Sequence, residues 1–313
     1  MTELASRDWR LIREEAHDGP TNMALDEVAA ATAAAGGPRT VRVYRWDPGT
    51  VSLGYRQDGA TIDRSAIERE GFDAVRRPTG GGAIFHDNWG DISYSIVAPA
   101  PELPGDLLEA YELLLTPLFD AFNRLGVPAR SATESLPAIH EPACYLREVH
   151  PAHDVVVSTD GEPRKISGNA QYRRRDAVVQ HGSITFASDP ERHLSIFADP
   201  GVDPETFAGR VTSVREHADV GKEEVVRALE TALEEWTGAE EGTWTEAERE
   251  RARERVRNKF GTDAWTWHRE RAREATEPAE TDNDTEDVLA VGSGDALSEV
   301  DADLRDVTRE GRR

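Results

Sequence analysis

Two arginines run straight into a glycine triplet in this chain. Arg76, Arg77, Pro78 and Thr79 precede Gly80, Gly81 and Gly82, and Ala83, Ile84, Phe85, His86 and Asp87 follow. Three consecutive glycines give up side-chain packing and add backbone entropy, so a fold keeps them for a backbone reason. The usual reason is a ligand, often a phosphate, that must touch main-chain N–H groups. A guanidinium is a planar fork of donors, so two of them beside such a loop suit an anion. A glycine-rich hairpin with two solvated arginines would carry the same letters. A second small-residue segment holds Lys165, Gly168 and Asn169. The chain has three lysines (Lys165, Lys222 and Lys259), so 37 − 3 leaves 34 arginines among its basic residues. A lysine kept against that bias is a compact charge that can hold a phosphate or carboxylate, or move a proton once desolvated. The plainer alternative is a surface hairpin lysine. His181, on an apolar run before Gly182, is a candidate base, although such a histidine is more often structural. Cys144, the single cysteine, excludes an intrachain disulfide and is either a packed apolar residue or a reactive thiol.

Alternating polarity predicts strands over residues 8–14, 41–46, 51–55, 72–77, 83–86, 91–97 and 177–186. A hairpin is predicted to pair 154–157 with 164–167 across Asp160 and Gly161. Helical spacing predicts helices over 21–35 with Thr21 as cap, 64–71, 107–125, 225–236 and 246–260. The glycine loop therefore joins two strands, unlike the strand-to-helix turn of a P-loop or Rossmann motif. Strands with interspersed helices and many hairpins imply an α+β fold with a mixed, largely antiparallel sheet and flanking helices.

The chain has 313 residues, 38% of them hydrophobic, with seven tryptophans, which implies a globular protein with a sizeable core. No apolar run reaches membrane-span length, and the N-terminus lacks a basic stretch followed by an apolar one, so a cytoplasmic protein is expected. The formal net charge is −23. Acid-rich, lysine-poor composition suits very high salt, where self-repulsion is screened, and implies a halophile's protein. It argues against a nucleic-acid surface, which should be basic. Residues 1–275 are expected to form one domain. Residues 276–313 carry twelve acids against four arginines and are expected to be a mostly disordered acidic tail, either solvated or partner-binding.

The runs 76–87, 165–171 and 181–184 resemble the three blocks of the lipoate-protein ligase A and octanoyltransferase family. That family shares its catalytic fold with biotin–protein ligases. Lesser matches lie at 22–27, 51–54, 211–216 and 258–265, and the resemblance covers roughly 8–270. It implies a class II synthetase-like catalytic domain over 1–275. The implied activity is acylation of a lysine on lipoyl domains of 2-oxoacid dehydrogenases or on glycine-cleavage H protein. In the ligase version, which is the expected one, ATP with Mg2+ activates lipoate as lipoyl-adenylate. The resemblance then implies an ATP and lipoate pocket lined by Arg76, Arg77, Gly80, Gly81, Gly82, Ala83, Ile84, Phe85, Gly168 and His181. Lys165 would contact the lipoate carboxylate and the α-phosphate, with no protein metal site. Only the acidic tail follows Trp267, so a ligase would need a separate small accessory subunit. The alternative is a cysteine-dependent octanoyltransferase. There Cys144 takes the acyl group as a thioester from an acyl carrier protein, and Lys165 helps activate the thiolate. A biotin–protein ligase is disfavoured, because its arginine–glycine loop is replaced here. A non-catalytic binding module is disfavoured by Arg77, the glycine triplet and Lys165 occurring together.

Overall fold

The computed structural model describes residues 3–159 and 161–270. The chain runs β1 (Trp9–His17), α1 (Gly19–Ala34), β2 (Arg39–Trp46), β3 (Thr50–Leu53), α2 (Arg64–Glu70), β4 (Asp73–Arg76), β5 (Ile84–His86) and β6 (Asp91–Pro99). It continues through α3 (Leu107–Arg124), β7 (Arg130–Ser131), β8 (Asp154–Thr159), β9 (Glu162–Arg173) and β10 (Ala177–Thr185). The last part holds α4 (Pro190–Leu194), α5 (Pro204–Arg210), α6 (Val214–His217), α7 (Lys222–Thr237), β11 (Glu240–Glu241), α8 (Glu246–Arg255) and α9 (Asp263–His268).

The large sheet has the order β11-β1-β2-β6-β10-β9-β8-β7. Its β11, β1 and β2 are parallel, and every pairing from β2 to β7 is antiparallel. A smaller sheet, β4-β3-β5, lies apart from it. This is the expected mixed, largely antiparallel α+β architecture. Helices α3 and α7 cover one face, where Leu114, Leu118 and Phe122 join Leu229 and Leu233 in a core with Val41, Ile96 and Ile166. On the other face α1 packs Met23, Val28 and Ala29 with Tyr44, Trp46, Val97 and Val179.

Register on that second face positions the site. Tyr44 lies opposite Ser93, Ser93 opposite Ser183, Ser183 opposite Gly168, and Gly168 opposite Asp154. Directly opposed residues share a face, and strands are about 4.8 Å apart, so the row spans about 19 Å. Its middle is serine, serine and glycine, which leaves a trough between the bulk of Tyr44 and the carboxylate of Asp154.

Some boundaries differ from the sequence expectations. Helix α1 begins at Gly19 with Asp18 as its cap, Asp18 Oδ1 accepting the Thr21 N–H at 2.8 Å. Pro20 fits in that first turn because its missing N–H has no helical partner there. Strand β9 is far longer than 164–167, which brings Gly168 and Asn169 into the sheet. The 246–260 helix becomes a π-helical turn over Val256–Phe260. The turn residue Asp160 and the expected tail 276–313 lie outside the described residues. Among the described residues, no helix is long and apolar enough to cross a membrane.

Candidate active site

The trough is bordered by Gly80 and Gly81 of the glycine triplet and by Cys144. The glycines are explained by backbones in contact. A Cβ on Gly54 would lie 1.8 Å from Gly81 O, and one on Gly82 would lie 2.6 Å from Pro142 O and 2.8 Å from Cys144 N. The two segments are joined by main-chain bonds, Ala83 N to Pro142 O at 2.7 Å and Cys144 N to Ala83 O at 2.9 Å. Gly81 adopts φ +93°, and Cys144 Sγ lies 3.8 Å from where its Cβ would be. The triplet thus admits the cysteine segment and sets the thiol beside the loop.

The arginine pair is divided, which corrects the expectation of a shared anion fork. Arg76 donates to five carbonyls, those of Gly54, Tyr55, Gln57, Trp265 and Thr266, and so ties α9 to the 54–57 turn. Its guanidinium is committed there, outside the cleft lining. Arg77 does line the cleft, and it shapes the loop from within. Its Nη1 donates to Ser52 O at 2.8 Å, and its Nη2 to Gly80 O and Gly82 O at 2.8 and 2.7 Å. Burial pushes the Arg77 guanidinium down, and the nearby Cys144 opposes this only in part.

Lys165 enters from β9. Its Nζ stands 3.1 Å from Asp154 Oδ1, both side chains being buried, and 3.3 Å from the Cys144 carbonyl oxygen. Burial pushes the Asp154 carboxyl up, but the Lys165 charge, helped by His153, overrides it and holds the group well below the usual carboxylate range. The second Asp154 oxygen accepts the His150 N–H at 2.8 Å. Beside Gly168, Asn169 accepts from Tyr94 Oη at 2.6 Å and donates to His153 O at 3.0 Å. The glycine after His181 makes room for this: a Cβ on Gly182 would lie 2.0 Å from Asn169 Oδ1. His181 braces the glycine loop through Thr79 Oγ1, 2.8 Å from its Nε2. Burial pushes the His181 imidazole down, and Asp26 opposes this only in part.

One cleft of about 630 Å3, its open mouth included, is lined by Arg77, Gly80, Gly81, Ile84, Cys144, Lys165, Gly168 and His181 among the predicted residues. Gly82, Ala83 and Phe85 do not line it. Alternation along β5 sends Ile84 and His86 inward and turns Phe85 towards Phe72, whose ring centroid is 4.5 Å away. Sequence reasoning missed Trp46, His153 and Asp154. Trp46 stacks on His86 at 4.2 Å and closes one end of the trough. A signal for Asp154 existed in the predicted hairpin, whose register brings it near the Lys165 strand. Among the described residues, no group of histidine, cysteine, aspartate and glutamate could hold a metal ion.

The arrangement offers a thiol, a buried ammonium and an adjoining trough lined by small side chains. Comparisons with known proteins narrow the chemistry. A family model for the lipoyl protein ligase A/B catalytic domain matches residues 18–234. Octanoyltransferase LipM of Kyrpidia tusciae is 34% identical over 280 residues, covering 83% of this chain and 99% of that protein. Octanoyltransferase LipM of Symbiobacterium thermophilum is 32% identical over 281 residues, covering 82% and 97%. A bi-partite lipoate protein ligase from Thermoplasma acidophilum, solved with its E2 lipoyl domain, superposes with TM-score 0.71 at 24% identity, covering 86% and 100%, and shows the shared fold. A lipoate-protein ligase A bound with ATP gives 0.68 at 25% identity, covering 83% and 98%. The expectation of an ATP-dependent ligase is corrected by the near full-length similarity to octanoyltransferases. The physical reason lies in the cleft. An adenylating ligase has no need of a thiol, and a thiol, that of Cys144, is among the groups lining this cleft.

Proposed function

This chain belongs to the lipoyl protein ligase A/B catalytic-domain family, and on that premise we propose that it is a cysteine-dependent octanoyltransferase. It moves an octanoyl group from an acyl carrier protein thioester to a lysine of a lipoyl domain or of glycine-cleavage H protein. The observation that carries this reading is the seating of Cys144: its segment is bonded to the glycine loop, with Lys165 Nζ 3.3 Å from its carbonyl.

In the first half-reaction the Cys144 thiolate attacks the donor carbonyl. A C–S bond forms to Cys144, and the donor's own C–S bond breaks. Lys165, an ammonium tethered by Asp154, stabilises the thiolate and the developing oxyanion, and the buried charge of Arg77 adds to that field. The trough takes the alkyl chain, running from the cysteine end towards Trp46. In the second half-reaction the acceptor amine displaces Cys144. Both steps begin from a thioester, so neither includes an adenylate, and ATP, Mg2+ and a separate accessory subunit have no step in this scheme.

The test is to incubate the protein with octanoyl carrier protein and a lipoyl domain and read intact masses. Wild type should show an octanoyl adduct on Cys144 that hydroxylamine removes, and Cys144→Ser should show no adduct and label no lipoyl domain. Undiminished transfer by Cys144→Ser would sink the reading.

A further inference from the structure

Discharge of octanoyl-Cys144 by an amine requires a group to take the amine's proton. Lys165 is unsuited to this. Its Nζ is already engaged by a buried carboxylate oxygen at 3.1 Å and by the Cys144 carbonyl oxygen at 3.3 Å. Asp154 is a weak base, because burial pushes it up but Lys165 and His153 hold it well below the ordinary range.

His153, immediately before β8, is better placed. Its ring lines the cleft and is 6% exposed. Its Nδ1 lies 3.7 Å from Asp154 Oδ1, the oxygen that Lys165 also holds. Asp154 ends the row opposite Tyr44, so His153 stands at the cysteine end of the trough. The ring is immobilised on several sides. His150 stacks on it at 4.9 Å and 7°, and Tyr111 lies 5.5 Å away. Its backbone carbonyl is gripped by Asn169, which Tyr94 fixes in turn. Asp154 thus faces the Nδ1 edge of the ring.

We infer that His153 is the base of the second half-reaction, accepting the proton of the acceptor lysine as it attacks octanoyl-Cys144. The lysine nitrogen forms a C–N bond and the C–S bond breaks. The electron pair stays on Cys144 Sγ beside the Lys165 ammonium, and the nitrogen's proton passes to His153 Nε2 and then to water. Among the described residues, His150, Tyr111 and Asp154 are titratable groups that face the ring. The inference rests on the octanoyltransferase reading, since it needs an acyl-cysteine to discharge.

The experiment separates the two half-reactions in the full-length protein. Cys144 is charged from octanoyl carrier protein, and loss of the adduct is timed after adding either a lipoyl domain or hydroxylamine. His153→Gln should slow discharge to the lipoyl domain roughly 100-fold or more beyond any change in its charging rate, and should lose the adduct to hydroxylamine within a few-fold of the wild-type rate. Added imidazole should restore transfer in His153→Ala. Transfer by His153→Gln within a few-fold of wild type would overturn the inference alone. Equal slowing with hydroxylamine, or no imidazole rescue, would make His153 structural and overturn it too. If wild type never forms the Cys144 adduct, the octanoyltransferase reading falls, and this inference with it.

Discussion

Lys165 and Asp154 form a buried pair in which neither charge has solvent to fall back on. Removing one partner strands the other, which typically costs about 3–5 kcal/mol. Lys165→Ala is therefore expected to lose acyl transfer and to be destabilised by an amount of that order, measured by urea unfolding beside octanoyl-transfer assays. Near-normal turnover would remove Lys165 from the site. The pair also has a pH signature. Asp154 titrates lower folded than unfolded, so its contribution is complete above about pH 4, the ordinary range for aspartate, and drains away as the pH falls below it. The stability gap between wild type and Asp154→Asn should be widest near neutrality and shrink on acidification, read from unfolding midpoints between pH 3 and 7. A gap independent of pH would refute the pairing. At this scale Lys165 was legible because it is one of three lysines in a chain whose other basic residues are arginine. Asp154 and His153 were not, because their roles come from strand register and a shared oxygen, which no local spacing records.

The glycine triplet matters as part of a pair of segments. Gly54 lies where a Cβ would come within 1.8 Å of the Gly81 carbonyl, which is backbone and has no rotamer to escape into. Gly54→Ala should therefore push the loop away from Cys144. A stability loss of about 1–3 kcal/mol is expected from the overpacking alone, together with loss of Cys144 acylation. Unchanged acylation would show that the loop does not hold the cysteine segment. The sequence showed that three glycines need a backbone reason, and pointed to a ligand. The structure supplies another, the main chain of 142–144, which is about 60 residues away and visible only after folding. Arg76 illustrates the same limit. Its charge suggested an anion, yet five carbonyls of two distant segments consume its donors.

Across the whole molecule, 60 acidic residues face 37 basic ones. Exposed pairs such as Arg253–Glu250 and Arg124–Asp120 add little individually, and salt weakens them. Self-repulsion from a net charge of −23 is the larger effect, and the Debye length falls from about 10 Å at 0.1 M to about 3 Å at 1 M salt. We propose a protein adapted to high salt, so its melting temperature should rise between 0.1 and 3 M KCl, followed by circular dichroism. A flat or falling curve would contradict that. By itself the sequence determined the α+β class, most strands and helices, and the family, because alternation, helical spacing and short motifs are local properties of the chain. It also identified Lys165 and Cys144 as the residues most able to do chemistry. Only the tertiary structure decided where those two stand relative to each other. Sheet register put Tyr44, Ser93, Ser183, Gly168 and Asp154 in one row, and the contact of 142–144 with the glycine loop placed the thiol at its end. Both are long-range pairings, fixed by what packs against what, so they exist only once distant segments have met.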